Sequence, residues 1–352
     1  SSYGCILVLS ATYFQSGTRQ FLVQAAALLI GLAAAVLISN FDYGDMGRIW
    51  PVFAGVALVL VGLTFIIGYA PAGSDDKAWL LLPFGMTLQP AELLKIAFIL
   101  TFSKHVMALR DSVTRFLPLM SLCAHGAVPI LLIHFQGDDG TALILALIFV
   151  AMLFAAGVKI RYFAIVGGLA AVLSPVVWFK VLTEFQRSRI IAVYFPKEED
   201  LLGDMWQQWR AGIGIASGGF AGKGLFNAPL VRSQTVPKWY NDFIFFSAGE
   251  QLGFLGCLSI IILLCALCIR LIMLSQMSRD KMGAIICVGV FAMFAAQSIV
   301  NIGMNISLLP VVGITLPFFS AGGTSLVCNF LGVGLALSVY IHRHKRTIYL
   351  RG

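Results

Sequence analysis

Runs of mostly apolar residues, each near the ~20 positions that a membrane crossing needs, alternate along this chain with short polar stretches. The runs fall at 3–13, 20–39, 51–70, 79–102, 116–133, 141–157, 162–181, 243–273, 283–302 and 322–342. The first is too short to cross alone. One polar stretch, 182–242, is far longer than the others. The pattern predicts an all-α, polytopic membrane fold of about ten transmembrane helices, with a large loop between spans seven and eight. Residues 1–352 read as one integral membrane domain.

Composition sharpens the class. Apolar residues make up 59%, charged residues 11%, and the mean hydropathy is +0.91. A soluble domain carries about 25% charged residues, so the net charge of +8 belongs to a membrane partner and not to nucleic acid. The basic residues also alternate in side. Arg48, then Lys104, Arg110 and Arg115, then Lys159 and Arg161, then Arg270, Arg279 and Lys281 share one set of loops with the tail residues Arg343, Lys345, Arg346 and Arg351. The opposite short loops hold Arg19 and Lys77. The positive-inside rule makes the first set and the C-terminus cytoplasmic, and loop 182–242 extracytoplasmic. All seven cysteines lie in apolar runs without zinc-ligand company and read as small buried hydrophobes. Opening on Ser1 and not Met, the chain is expected to lack its natural beginning, and no cleavable signal peptide is visible.

Polar chemistry collects in the outer half. Trp239-Tyr240-Asn241-Asp242-Phe243-Ile244-Phe245 places an acid where the long loop re-enters the membrane, a costly position usually kept for chemistry or transport. Asp242 either caps the next helix or, with Glu250 eight positions on and on nearly the same face, opens a polar cavity outward. Gln89, Glu92 and Lys95 share a face of the fourth span and either tighten packing as an ion pair or line that cavity. Asp139 or Asp138 is placed to cap the sixth span. Arg187 and Arg189 suit a diphosphate, since guanidinium forks match phosphate oxygens, or salt-bridge nearby acids, or grip lipid headgroups. Asn301, Asn305 and Ser320-Ala321-Gly322-Gly323-Thr324-Ser325 add hydrogen-bonding groups near another outer loop. No histidine pair has metal spacing. Gly212-x-Gly214 lacks a preceding strand, and Gly218 stands one place too close to Gly222 for a phosphate loop. Small residues at 211–224 therefore predict a loop or short re-entrant helix that packs closely.

Four separated motifs resemble the SEDS family (shape, elongation, division and sporulation). They are Gln89-Pro90-x-Glu92-x-x-Lys95; Asn241-Asp242-Phe243-Ile244-Phe245 with Gly249-Glu250-x-Leu252-Gly253; Asn301-Ile302-Gly303-Met304-Asn305 through Leu309-Pro310-Val311; and Gly313-Ile314-x-Leu316-Pro317-Phe318 with Ser320 to Ser325. The similarity runs from Ser10 to the basic tail. The Asn301-Ile302-Gly303-Met304 segment looks more like the elongation branch, RodA, than the division branch, FtsW. Departures are Gln136-Gly137-Asp138 where Gln-Pro-Asp is usual, Ala321 for Tyr, Gln251 for Glu and Tyr240 for His.

The resemblance implies a peptidoglycan glycosyltransferase of the bacterial cytoplasmic membrane that polymerises lipid II at its outer face for cell elongation and shape. It implies Asp242 as the catalytic acid, with Lys77, Trp79, Glu92, Lys95, Asp138, Arg187 and Glu250 at family positions around the substrate. Arg189, Asn301, Ser320 and Thr324 join them as candidate substrate contacts. A divalent cation, Mg or Mn, is expected to aid the leaving diphosphate, and Asp242 either acts as general base or helps to hold that cation. The expected partners are lipid II and a class B penicillin-binding protein whose pedestal docks on 196–240. The rival reading from the same polar residues is a lipid II flippase, though no inverted repeat of broken helices is apparent.

Overall fold

The computed structural model describes residues 1–70, 76–82, 87–198, 203 and 205–344. Ser74 and Asp75, Glu199 and Asp200 of the long loop, and Lys345, Arg346 and Arg351 of the tail lie outside these residues. In chain order the helices are α1 (Ser2–Ser16), α2 (Arg19–Asn40), one-turn α3 (Tyr43–Met46), α4 (Trp50–Ile67), α5 (Pro90–Leu109), α6 (Phe116–Phe135), α7 (Asp139–Ala155) and α8 (Ile160–Val176). They continue with α9 (Glu184–Tyr194), α10 (Trp206–Gly218), α11 (Pro229–Arg232), α12 (Ile244–Gln276), α13 (Lys281–Asn305) and α14 (Gly323–Ile341). Before α5, strands β1 (Leu80–Leu81) and β2 (Thr87–Leu88) pair antiparallel, Leu80 opposite Leu88.

Among the described residues, seven helical stretches are long and apolar enough to cross a membrane: α2, Tyr43–Ile67, α6, Ile160–Lys180, α12, α13 and α14. The other three expected spans correspond to α1 and α7, which are shorter, and to α5, which carries Glu92, Lys95 and Lys104. The chain is thus a polytopic helical membrane protein.

Two element boundaries differ from the sequence pattern. The fourth expected span, 79–102, is replaced by α5, which starts at Pro90, a residue suited to a helix start because it lacks an N–H. The apolar residues ahead of it are extended instead: Tyr69 and Trp79 exchange backbone hydrogen bonds of 2.7 and 3.3 Å. The long loop itself carries three helices among its described residues, α9, α10 and α11. Thr183 and Gln186 cap α9 reciprocally, side chain to backbone in both directions.

Backbone contacts group the chain into two compact units. The first comprises 1–26, 158–265 and 297–322. In it Leu7 and Val8 of α1 pack with Ile244, Ala248, Ile260 and Phe319, while Ala211, Val231, Trp239, Phe243 and Phe246 form a second cluster under the long loop. Nothing on α8 is buried, as suits a helix surrounded by lipid.

The second unit comprises 27–157, 266–296 and 323–352. Here α4 and α14 pack against α5, and α6 against α7. Lipid tails are as apolar as leucine, so close backbone approach must hold such helices together. At Gly334 of α14, a Cβ would stand 2.9 Å from the Ala35 backbone of α2. On the basic side of this unit Arg279 reaches Asp42, the N-cap of α3, at 3.3 and 3.4 Å, and lies over the Tyr43 ring. Burial pushes the Asp42 carboxyl up, but the Gly44 N–H and the Arg279 guanidinium outweigh it and hold the group below the ordinary carboxylate range.

Candidate functional site

In the first unit the turn bearing Asp242 is clamped from two directions, largely through its backbone. Asn301 Nδ2, on α13, donates to the Asp242 carbonyl at 2.8 Å and to the Ile314 carbonyl at 2.6 Å. One helical turn on, Asn305 Nδ2 donates to the same Asp242 carbonyl at 3.0 Å, and its Oδ1 accepts the Phe246 N–H at 3.0 Å. That N–H belongs to the first turn of α12, where intrahelical acceptors are missing. From the other direction Ser320 Oγ donates to the Asn241 carbonyl at 2.6 Å, and the Ala321 N–H to the Tyr240 carbonyl at 2.9 Å. Gln24 then holds that segment, donating to the Ser320 carbonyl and accepting from the Gly322 N–H. Asp242 is 8% exposed. Asn301 and Ser320, candidate substrate contacts by motif, direct these hydrogen bonds at the backbone of the turn.

Glu250 differs from the open cavity that its spacing suggests. It is fully buried, and its carboxylate accepts from Lys223 Nζ at 3.0 Å, Leu230 N–H at 3.0 Å and Val231 N–H at 2.8 Å. The acid thus staples the loop to α12, because three donors converge where the helix breaks. The break is at Gly253, whose φ of 65° is open to glycine at little cost. The backbone groups freed there are taken by segment 219–224. Lys223 and Gly224 donate to the Glu250 and Gln251 carbonyls at 3.0 and 2.9 Å, and Phe254 and Leu255 donate to Gly219 and Phe220 at 2.8 and 3.2 Å. Within α10, Gly214 lies against the Phe246 ring and Gly218 against the Gly249 carbonyl, the close packing expected of the small residues at 211–224.

The two arginines part company. Positions i and i+2 of a helix do not face the same way, and Arg189 Nη1 reaches the Val311 carbonyl at 3.5 Å. Arg187 Nε is buried without a hydrogen-bond partner among the described residues. Nearby, Gln208 of α10 donates to the Met304 and Leu309 carbonyls at 2.9 and 2.7 Å, and Tyr194 of α9 to the Leu308 carbonyl at 3.2 Å. These bonds tie the segment after α13 to the long loop.

The remaining candidates stand in the second unit. Lys95 Nζ meets Glu92 Oε1 at 2.8 Å, with side chains 1% and 6% exposed. Glu92 Oε2 has no hydrogen-bond partner among the described residues. Asp138 is the N-cap of α7, accepting from the Thr141 N–H at 2.9 Å, and its other oxygen accepts from Gln89 Nε2 at 2.8 Å. Thr324 Oγ1 donates to the Thr87 carbonyl at 3.2 Å. Lys77 is exposed, and Trp79 is half-buried at its bridge to Tyr69. Sequence reasoning passed over Gln24, Lys223 and Gln208. Gln24 had a usable signal, an amide within an apolar run; Lys223 and Gln208 act through partners distant in sequence.

Among the described residues no group of three or more His, Cys, Asp or Glu side chains is arranged to hold a metal. Mg²⁺ is commonly bound by one or two carboxylates plus substrate phosphates, so the single carboxylate of Asp242 fits a cation that arrives with a diphosphate.

Residues 1–346 match the FtsW/RodA/SpoVE family, described as cell cycle protein. A probable peptidoglycan glycosyltransferase FtsW of Geobacter sulfurreducens is 31% identical over 346 residues, covering 96% of this chain and 89% of its own. The peptidoglycan glycosyltransferase MrdB of Escherichia coli is 32% identical over 216 residues, covering 61% and 58%. Among solved structures, a chain from work on the structural coordination of polymerization and crosslinking by a peptidoglycan synthase complex superposes with a TM-score of 0.82 at 25% identity, covering 97% of this chain and 96% of its own. The Thermus thermophilus rod shape determining protein RodA superposes with a TM-score of 0.69 at 23% identity, covering 97% and 95%.

Proposed function

Because this chain belongs to the FtsW/RodA/SpoVE family, we propose that it is a peptidoglycan glycosyltransferase that polymerises lipid II at the outer face of the cytoplasmic membrane. The observation that carries the reading is the clamped turn: Asn301, Asn305, Ser320 and Ala321 fix the backbone on which the Asp242 carboxylate stands. A sugar hydroxyl is a poor nucleophile, and a carboxylate positioned to accept its proton is worth about 10²–10⁴ in rate. In the proposed step the 4-hydroxyl of an N-acetylglucosamine attacks the anomeric carbon of a muramyl sugar. Its proton passes to Asp242, and the bond to the polyprenyl diphosphate breaks with its electron pair leaving on the diphosphate. Arg187, with a buried nitrogen unmatched among the described residues, faces that charge in this reading. In the alternative, Asp242 does not take the proton but would help to hold a divalent cation at the diphosphate, which would supply the positive charge there.

The same proposal has the C-terminus in the cytoplasm, ten spans and the Asp242 turn outside, a reading supported by the distribution of basic residues between the loops and tail. Elongation is the proposed cellular role, on the Asn301-Ile302-Gly303-Met304 segment. A class B penicillin-binding protein is the proposed partner, in line with the synthase complex that contains the similar fold. The test is a glycan gel of purified protein with labelled lipid II, Mg²⁺ or Mn²⁺, and the partner present or absent. Ladders from wild type and none from Asp242→Asn support the reading. Ladders from both variants remove Asp242 from the chemistry; no ladder but accelerated lipid II movement across vesicles moves the function to a flippase.

A further inference from the structure

A cavity of about 460 Å³ lies within the second unit, walled by α4, α5 and α6 and remote in sequence from the Asp242 turn. One end of it carries Trp50, 42% exposed, and Lys104. Gly47, just before α4, lies against the Lys104 side chain, so both residues stand at one end of the helix pair. Lys104 has no ion-pair partner among the described residues. The far end is apolar, at Leu58 and Leu94. Leu94 to Lys104 on α5 is about 15 Å at ~1.5 Å per residue, which is one leaflet of a hydrocarbon core of ~30 Å.

The polar groups of the wall are already matched. His105 Nδ1 and His125 Nδ1 stand 3.0 Å apart, so one ring donates and the other accepts. His125 Nε2 pairs with Thr101 Oγ1 at 3.2 Å, and His105 Nε2 with Ser121 Oγ at 3.4 Å. Beyond that end the cavity therefore presents a surface suited to hydrocarbon, next to a lysine and an aromatic ring, the residue types that anchor at membrane interfaces. Arg115, the exposed N-cap of α6, adds positive charge to the same side.

We propose that this cavity binds one acyl chain of an anionic phospholipid from the leaflet on the Lys104 side, with the lipid phosphate at Lys104. The occupant is a membrane lipid and not the polymerised substrate: the cavity is one leaflet deep, and a polyprenyl chain is much longer.

Native mass spectrometry of the full chain in detergent, titrated with phosphatidylglycerol or phosphatidylcholine, tests this. Wild type is expected to retain one phosphatidylglycerol in preference to phosphatidylcholine. Leu58→Trp, which fills the cavity, should lose that lipid while keeping polymerase activity. Lys104→Ala should bind both lipids, its preference lowered about fivefold, the ~1 kcal/mol that one lysine is worth at an anionic surface. A phosphatidylglycerol with a photoreactive acyl chain should label residues of α4 and α6 around Leu58 and Pro129 in the unaltered protein, a readout independent of how the variants fold. Wild-type preference in Leu58→Trp, labelling elsewhere, or displacement by an equal concentration of undecaprenyl diphosphate would each overturn the assignment.

Discussion

Asn301 Nδ2 donates 2.8 Å to the carbonyl of Asp242, so an amide buried on α13 sets where the acid just before α12 stands. Asn305 reaches the same oxygen and also caps the first turn of α12. Removing the Asn301 amide leaves the Ile314 carbonyl without this donor, and removing the Asn305 amide leaves the Phe246 N–H without its acceptor, at about 1–3 kcal/mol each. Asn301→Ala is expected to lower polymerisation about 10²-fold, the scale of a ~1 Å displacement of a reacting group. Lipid II affinity should hardly change. Turnover measured alongside equilibrium binding checks this; equal losses in both would give Asn301 a direct substrate role.

Glu250→Ala should destabilise the protein by about 1–3 kcal/mol, because it leaves the buried Val231 N–H and the part-buried Leu230 N–H without their acceptor. Glu250→Gln, which keeps one carbonyl oxygen, should lose less. Thermal unfolding in detergent, with limited proteolysis at 219–232, would detect the released loop. An unchanged cleavage pattern in Glu250→Ala would show that the staple is not needed.

Arg187 and Arg189 should separate in kinetics. Arg187→Ala is expected to raise the KM for lipid II about tenfold, near the 1.4 kcal/mol of a lost charge-assisted contact, with little change in Tm. Arg189, whose guanidinium reaches the Val311 carbonyl, should lower Tm instead. The reverse pattern would transfer the diphosphate role to Arg189.

Stability should depend on acid through Asp42. Its folded pKa lies below the unfolded value of about 3.9, so its contribution is present above that value and is lost as pH falls through the folded pKa. Asp42→Asn should lower Tm at neutral pH and flatten the fall in Tm below about pH 4. Parallel Tm profiles for the two proteins would contradict the Asp42–Arg279 linkage.

The membrane class, most helix positions and the residues around Asp242 were legible in the sequence, because long apolar runs demand lipid and a polar group within one is kept only at a cost. What escaped it depends on contacts between distant segments. Trp79-Leu80-Leu81 reads as the start of a span, yet a backbone bridge to Tyr69 makes it extended. The run after Ile244 reads as unbroken helix, and Gly253 alone does not announce a break. The partners of Glu250 include the backbone N–H groups of Leu230 and Val231, which no side chain betrays. A motif likewise does not say that Asn301 bonds to the chain.

The interruption of α12 at Gly253 also constrains how the protein is made. An open backbone in hydrocarbon costs several kcal/mol per unmatched group, and four of the bonds that match it come from 219–224. The first part of α12 therefore cannot settle in the bilayer before that segment has folded back upon it. Insertion of this helix and docking of the preceding loop become one cooperative event. Lengthening the chain between Gly224 and Trp239 should consequently impair biogenesis, even though outer loops of membrane proteins are ordinarily where added residues do least harm.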